Sequence, residues 1–356
     1  MRWDFHGLTV EGLWDDAPIG ERWLATFASR PQAGASSRSP LQPPSDLAGA
    51  SAPPSDLVFR LTLADEAPPA PPSPPNFRQG DLLAYYLNGA HVTAHFPRFG
   101  QLQLDLARGA ITGVITRAAL ATYGVFEDLL AIGLSPHFRR RGLFLLHAFA
   151  AVSPPLPPLA RNQPLPIRAR VNPHRGGAAI LLVGDIGSGK TTTGLALLHA
   201  GWKLLSNDSP ILTALTSHSN SLTVLAYPGL LSAYADTLAR FPELAALAVS
   251  GAEQRKTLFA AETIYPEVWL DSAAPAAIFF PQVEARPDHA LEKLSAPEAL
   301  RLLLPHAIEQ WDREMIPAHF ALLKELAEAV PAYRLRLGPD PNTIPAALLA
   351  GIDRRQ

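Results

Sequence analysis

Hydrophobic and polar positions alternate in short runs along the first part of the chain. Leu8–Val10 and Trp23–Phe27 are apolar patches that predict a strand and a short helix within residues 1–30. Val58–Leu63 (VFRLTL) repeats with period two, the signature of a half-buried strand. Residues 82–117 predict a meander: Asn88-Gly89 lies between two β-rich runs, and Arg108-Gly109 turns a second pair. Residues 118–135 switch to helical spacing. Gly142–Val152 is apolar apart from His147 and reads as one buried strand. The preceding Arg139–Arg141 reads as a solvated loop, with a phosphate-facing role as the alternative.

After Pro173 the pattern becomes that of an α/β unit. Ala178–Val183 is a continuous apolar run of strand length, and Thr191–Ala200 is helical up to the helix-ending Gly201. Lys203–Ser206 predicts a short strand. Pro210–Leu215 and Leu222–Tyr227 bracket a polar turn and predict a hairpin. Asp236–Val249, Ser295–Leu304 and Ala307–Val330 predict helices, while Ala276–Pro281 and Tyr333–Leu337 predict strands.

Composition changes the picture through proline. The chain has 356 residues and 36 prolines, 12 of them within residues 31–76 and seven within 153–173. Outside those tracts proline is near its ordinary share of about 5%. A globular protein with two proline-rich insertions is therefore expected, with residues 31–56 and 66–76 disordered. The hydrophobic share of 47% against 17% charged residues supports a large core. Net charge is −2, so no basic nucleic-acid surface is expected. Without cysteine, disulfides, thiolate catalysis and zinc sites with sulfur ligands are excluded. The opening MRWDFHGLTVEG lacks the basic-then-apolar run of a signal peptide, and no apolar stretch has membrane-spanning length. A cytoplasmic protein without membrane contact is the expectation.

The chemistry concentrates in residues 184–191: Gly184, Asp185, Ile186, Gly187, Ser188, Gly189, Lys190 and Thr191, a GxxxxGK[ST] pattern. The glycines let backbone N–H groups converge on a phosphate chain, and the helix that follows adds its positive end. Lys190 reaches the β and γ phosphates, Thr191 is a candidate Mg²⁺ ligand, and Thr192 follows in the first helical turn. A strand before and a helix after supply the context the pattern needs. ATP and Mg²⁺ are the implied cofactors. Seventeen positions beyond Thr191, Asp208 closes the strand Lys203–Ser206. At a strand end beside the loop strand it is placed to hold Mg²⁺ or to take a proton from an attacking hydroxyl. A turn cap is the alternative.

The stretch LLVGDIGSGKTTTGLALLHAGWKLLSNDSPIL resembles the HPr kinase/phosphorylase-like serine kinases, which share a P-loop fold with ATP-dependent phosphoenolpyruvate carboxykinase. Weaker likenesses are Tyr227-Pro228, Lys256 ahead of Tyr265-Pro266, the strand AAIFFP, and His147 at a strand start. The family's acid pair reads Asn207-Asp208 here, and Lys-Thr-Thr replaces its Lys-Ser-Glu. The Glu-Leu-Arg-Gly segment of bacterial members is absent, so the likeness is to a divergent branch.

The fold the resemblance implies is α/β: a β-rich region over 1–135 and a P-loop kinase-type domain over 136–356, with 153–173 as an excursion from a hairpin. The implied function is Mg²⁺-dependent transfer of the ATP γ-phosphoryl group to a serine hydroxyl of a protein or peptide. Lys190 and Asp208 are the expected catalytic residues. Residues 184–192 and Lys256 are the expected nucleotide contacts, and Thr191 and Asp208 the metal ligands. A small-molecule kinase and a catalytically decayed nucleotide sensor are the competing readings. A homo-oligomer stays open.

Overall fold

A computed structural model describes residues 1–27, 55–154, 177–214, 221–248 and 256–353. The chain is a mixed α/β protein that divides into two compact units. One comprises Met1–Phe144 and Glu309–His319; the other comprises Leu145–Leu215, Asn220–Ile308 and Phe320–Gln356. Most of the proline tract 31–56 and most of 153–173 lie outside the described residues, as does the polar turn expected near 217–220.

The first unit begins with β1 (Arg2–Phe5) and β2 (Leu8–Trp14), then α1 (Ala17–Phe27). Next come β3 (Leu57–Ala64), β4 (Phe77–Gln79), β5 (Leu83–Asn88), β6 (His91–Phe96), β7 (Gly100–Asp105) and β8 (Ala110–Thr116). These strands form one eight-stranded sheet in the order β1-β2-β3-β8-β7-β6-β5-β4. The expected meander is present: β5 pairs antiparallel with β6, β6 with β7, and β7 with β8. Two helices follow, α2 (Arg117–Ala121) and α3 (Val125–Arg139). In α1 the buried residues Ile19, Gly20, Trp23, Thr26 and Phe27 fall on one helical stripe. They close over an aromatic cluster in which Trp23 meets Trp3 at 5.7 Å and Phe59 at 5.2 Å between ring centroids. Residues 66–76, expected to be disordered, are among the described residues. They form a connector without helix or strand, and its last residue Asn76 donates its N–H to the Tyr85 carbonyl.

The triple arginine is corrected. Arg139 ends α3 buried, with 3% of its side chain exposed, and Arg140 is only partly exposed. Both guanidiniums converge on the buried carboxylate of Asp312, because α3 runs past the expected end at residue 135 and carries the arginines onto that acid.

Past Gly142 the chain forms β9 (Phe144–Leu145) and β10 (Ala148–Val152). The single strand expected over 142–152 is thus broken at His147, whose N–H donates to the His306 carbonyl instead of to a sheet partner. β11 (Ala179–Val183) follows, then α4 (Lys190–His199) and β12 (Lys203–Ser206). β13 (Ile211–Thr213) pairs antiparallel with β14 (Thr223–Leu225), the expected hairpin. β15 (Leu231–Ala233) precedes α5 (Ala235–Leu238). The helix expected over 236–249 is cut to that turn and a 3-10 turn at Ala245–Leu247. Pro242 lies between them, and proline neither donates a backbone bond nor fits a helix interior.

β16 (Thr257–Phe259), α6 (Ala261–Ile264) and β17 (Ser272–Ala273) lead to β18 (Pro275–Val283) and β19 (Ala290–Leu294). The chain ends with α7 (Ala296–Leu303), α8 (Ile316–Ala329), β20 (Ala332–Leu337) and α9 (Ile344–Asp353). The helix expected from Ala307 starts nine residues later, because Glu309–His319 belongs to the first unit and its Asp312 faces the arginines.

The central sheet of the second unit runs β12-β10-β11-β18-β20-β19. β10 is antiparallel to both β11 and β12, so β11 and β12 point the same way without touching. The expectation that β12 lies beside the loop strand is corrected: β10 intervenes. Register Val152↔Ala179 makes residues 153–178 the connection between two neighbouring antiparallel strands. Helix α4 rests on β10 through Gly194, where an added Cβ would lie 2.4 Å from a Phe149 ring carbon. That close approach seats the loop ahead of α4 at the carboxyl end of β11. No helix among the described residues is long and apolar enough to cross a membrane.

Candidate functional site

One end of this sheet gathers the carboxyl ends of β11 and β12 and the amino end of β10. The loop Gly184–Gly189 joins β11 to α4, as the strand-loop-helix reading expects. Gly187 and Gly189 take positive φ of 84° and 102°, backbone that L side chains rarely adopt. At Gly189 space is also closed, since a Cβ would sit 2.5 Å from Leu337 Cδ1. At Gly187 it would meet nothing within 4 Å, so that stretch of backbone is open. Ile186 and Asp185 are almost fully exposed at the tip. The Ser188 hydroxyl is buried and has no hydrogen-bond partner. No side chain caps the N-terminus of α4, so its first N–H groups stay open to an anion.

The Lys190 ammonium folds back over the loop and donates to the carbonyls of Gly184 and, at 3.1 Å, Asp185. Burial holds its pKa below the ordinary lysine value. The carboxylates of Asp208 and Asp185 oppose that shift, and the charge of Lys256 adds to it. Lys190, Asp208 and Lys256 therefore share one electrostatic neighbourhood although the sequence separates them widely. Thr191 and Thr192 are half-buried in the first turn of α4.

Asp208 stands just past β12, where its N–H and that of Ser209 lie 3.4 Å and 3.0 Å from the Ser206 hydroxyl. Its carbonyl accepts from Ala148 N–H at 2.9 Å, so the first residue of β10 fixes its backbone. His147 Nδ1 lies 3.3 Å from Asp208 Oδ1, with both side chains about half exposed. His147 is thus not a core residue but stands half-exposed beside Asp208. Asn207, beside it, points elsewhere: its Nδ2 donates to the Leu230 carbonyl at 2.9 Å.

His306 was not singled out by sequence. It closes the 3-10 turn Leu304–His306, accepts the His147 N–H at 2.7 Å, and stacks its ring 6.0 Å from that of His147. Its Nε2 lies 3.9 Å from Asp185 Oδ1. Burial lowers its pKa against the pull of Asp185, and His147 and Lys190 lower it further. Nothing in the local pattern LPH marks it; only the turn that brings it over β10 does. The Lys256 Nζ lies 5.4 Å from the centre of the Tyr234 ring. Glu262 is engaged by the Trp269 indole N–H.

No protein-family model and no curated protein sequence matches the chain. Among solved structures, the HPr(Ser) kinase/phosphatase of Coxiella burnetii aligns with 59% of this chain and 91% of its own, at 12% identity and a TM-score of 0.29.

Proposed function

We propose that the second unit binds ATP with Mg²⁺ and transfers its γ-phosphoryl group to a hydroxyl, a serine of a protein or peptide. One observation carries the reading: the loop after β11 and Asp208 after β12 stand at the same end of the sheet, bridged by His147, 3.3 Å from Asp208, and by His306, 3.9 Å from Asp185. The loop suits a phosphate chain. Its glycine backbone is open at Gly187, the Ser188 hydroxyl is unpartnered, and the helix end behind it is uncapped. Among the described residues no group of three His, Cys, Asp or Glu could hold a metal by itself. Thr191 and Asp208 alone suit Mg²⁺, which keeps several waters and takes its remaining ligands from phosphates.

In the proposed reaction the acceptor oxygen forms a bond to the γ-phosphorus as the β,γ-bridging oxygen leaves with ADP. The hydroxyl proton passes to Asp208, whose carboxylate His147 holds in place. Lys190 neutralises charge that builds on the phosphoryl oxygens, so most of the catalysis is positioning and electrostatics. Lys256 contributes further positive charge.

Titration calorimetry with ATP and Mg²⁺, followed by turnover assays with labelled ATP, tests this. Lys190→Ala is expected to abolish measurable ATP binding. Asp208→Asn is expected to keep binding and lose about 100-fold or more in turnover. Tight ATP binding by the Lys190 variant overturns the loop assignment. Undiminished turnover by the Asp208 variant removes that residue from catalysis, and binding without turnover in the unaltered protein leaves the sensor reading.

A further inference from the structure

We propose that Asn207 is a positioning residue whose side-chain amide holds the β15–β16 ladder, and with it Lys256, beside the Gly184–Thr191 loop. The clamp itself stands on geometry; its consequence for nucleotide binding rests on the function proposed above.

Asn207 follows β12 directly, next to Asp208. Its Nδ2 donates 2.9 Å to the carbonyl of Leu230, the residue immediately before β15. The other side of the amide packs closely on the backbone of Gly229. A Cβ on Gly229 would lie 2.9 Å from Asn207 Oδ1, so the glycine lets the backbone close against the amide. Position 207 is thus committed to the main chain at 229–230, and its orientation follows from the bond, since only the N–H₂ side can face a carbonyl.

The tethered segment ends in a positive charge. β15 pairs antiparallel with β16 from Leu231↔Phe259 to Ala233↔Thr257. One step further out stand Tyr234 and Lys256, and the Lys256 ammonium lies 5.4 Å from the Tyr234 ring centre. Leu231 and Ala233 of β15 and Phe259 of β16 pack in one core with Leu195 and Leu198 of α4, so the ladder lies against the helix that the loop opens. A three-pair ladder is marginal by itself. Anchoring the residue just before it, Leu230, to the end of β12 fixes where its far end points.

An aspartate at 207 could not do this. It would set a carboxylate oxygen against the Leu230 carbonyl, two acceptors with no proton between them. The clamp therefore separates two roles for position 207. As a metal ligand in disguise it would gain from Asn207→Asp; as a clamp it would lose by it.

The test uses the full chain. Hydrogen exchange without nucleotide compares the parent with Asn207→Asp, Asn207→Leu and Gly229→Ala. Residues 231–233 and 257–259 are expected to exchange about tenfold faster in each variant, with β11 and β18 unchanged. Calorimetry with ATP and Mg²⁺ should show Asn207→Asp weakening affinity by about fivefold, and weakening it no further in a Lys256→Ala background. Unchanged ladder exchange, or loss of protection spread equally through β11 and β18, overturns the clamp. Tighter ATP–Mg²⁺ binding by Asn207→Asp overturns it in favour of a ligand role, and full additivity with Lys256→Ala removes the link to Lys256. If the parent protein binds no ATP, the nucleotide reading fails, and the exchange experiment still decides the clamp.

Discussion

Replacing Asp312 by alanine should be the most damaging single change in the first unit. The carboxylate is buried, 4% exposed, and accepts four hydrogen bonds from two guanidiniums. Arg139 reaches it at 2.9 Å and 2.7 Å, and Arg140 twice at 3.0 Å. The burial of Asp312 would raise its pKa, but the two guanidiniums outweigh that and hold the carboxyl below its ordinary value. Without the acid, Arg140 can turn toward water, since 23% of its side chain is already exposed. Arg139 cannot. Among the described residues it keeps the Ser135 hydroxyl at 3.2 Å, the face of Trp311 at 5.5 Å and the attraction of the buried Glu309. Breaking one side of a buried pair costs about 3–5 kcal/mol, and the escape of Arg140 points to the lower half of that range.

Urea titration read by tryptophan fluorescence suits the measurement, because Trp3, Trp14, Trp23 and Trp311 all belong to this unit. A midpoint lowered by about 1–2 M is expected. Removing both charges with Arg139→Met and Asp312→Leu should recover most of the loss, since an apolar pair leaves nothing buried and unpaired. A cost below about 1 kcal/mol for Asp312→Ala, or a double variant no more stable than the single, would refute the reasoning.

The same unit should be acid-labile for a separate reason. His137 and His319 are 0% and 2% exposed, and burial pulls their pKa values to about 4 and about 3. The unfolded chain takes up those protons first once pH falls below about 6.5, so stability is full above that value and declines toward the folded pKa values, by about 1.4 kcal/mol per unit for each histidine. Urea midpoints measured from pH 7 to 4.5 should fall accordingly, and His137→Leu should flatten the slope by about half; an unchanged slope counts against the assignment. In the second unit, Gly194→Ala forces a methyl against Phe149 and should destabilise by about 1–3 kcal/mol in thermal melts. Gly189→Ala combines a positive φ with the Leu337 clash, and should cost ATP affinity without lowering the midpoint of the first unit.

Local signals carried a good deal of the structure. Period-two alternation marked β3, which buries one face and wets the other, and the turn signals at Asn88-Gly89 and Arg108-Gly109 marked the β5–β8 meander. The apolar run before Gly184 and the helical run after Lys190 marked β11 and α4. Proline and glycine were less evenly read: Gly201 ended α4 as expected, whereas Pro242 cut a helix that the surrounding alanines and leucines had suggested. The Arg139–Arg141 run failed for a different reason. Three consecutive charges are solvated unless a carboxylate is delivered to them, and that acid lies more than 170 residues away. His306 was invisible on the same ground.

The sequence by itself singled out the proposed phosphate contacts, because the spacing of Gly184, Gly187, Gly189, Lys190 and Thr191 is a property of one continuous turn and the helix behind it. It also set apart Asn207 and Asp208 as an unlike pair. Only the tertiary structure decided what surrounds them. It inserted β10 between β11 and β12, brought His147 and His306 over the loop, and turned Asn207 away from Asp208 onto the Leu230 carbonyl. The division is physical. A loop's conformation follows from neighbours a few bonds away, whereas the partner of a histidine, an arginine or an amide is chosen by sheet order and packing.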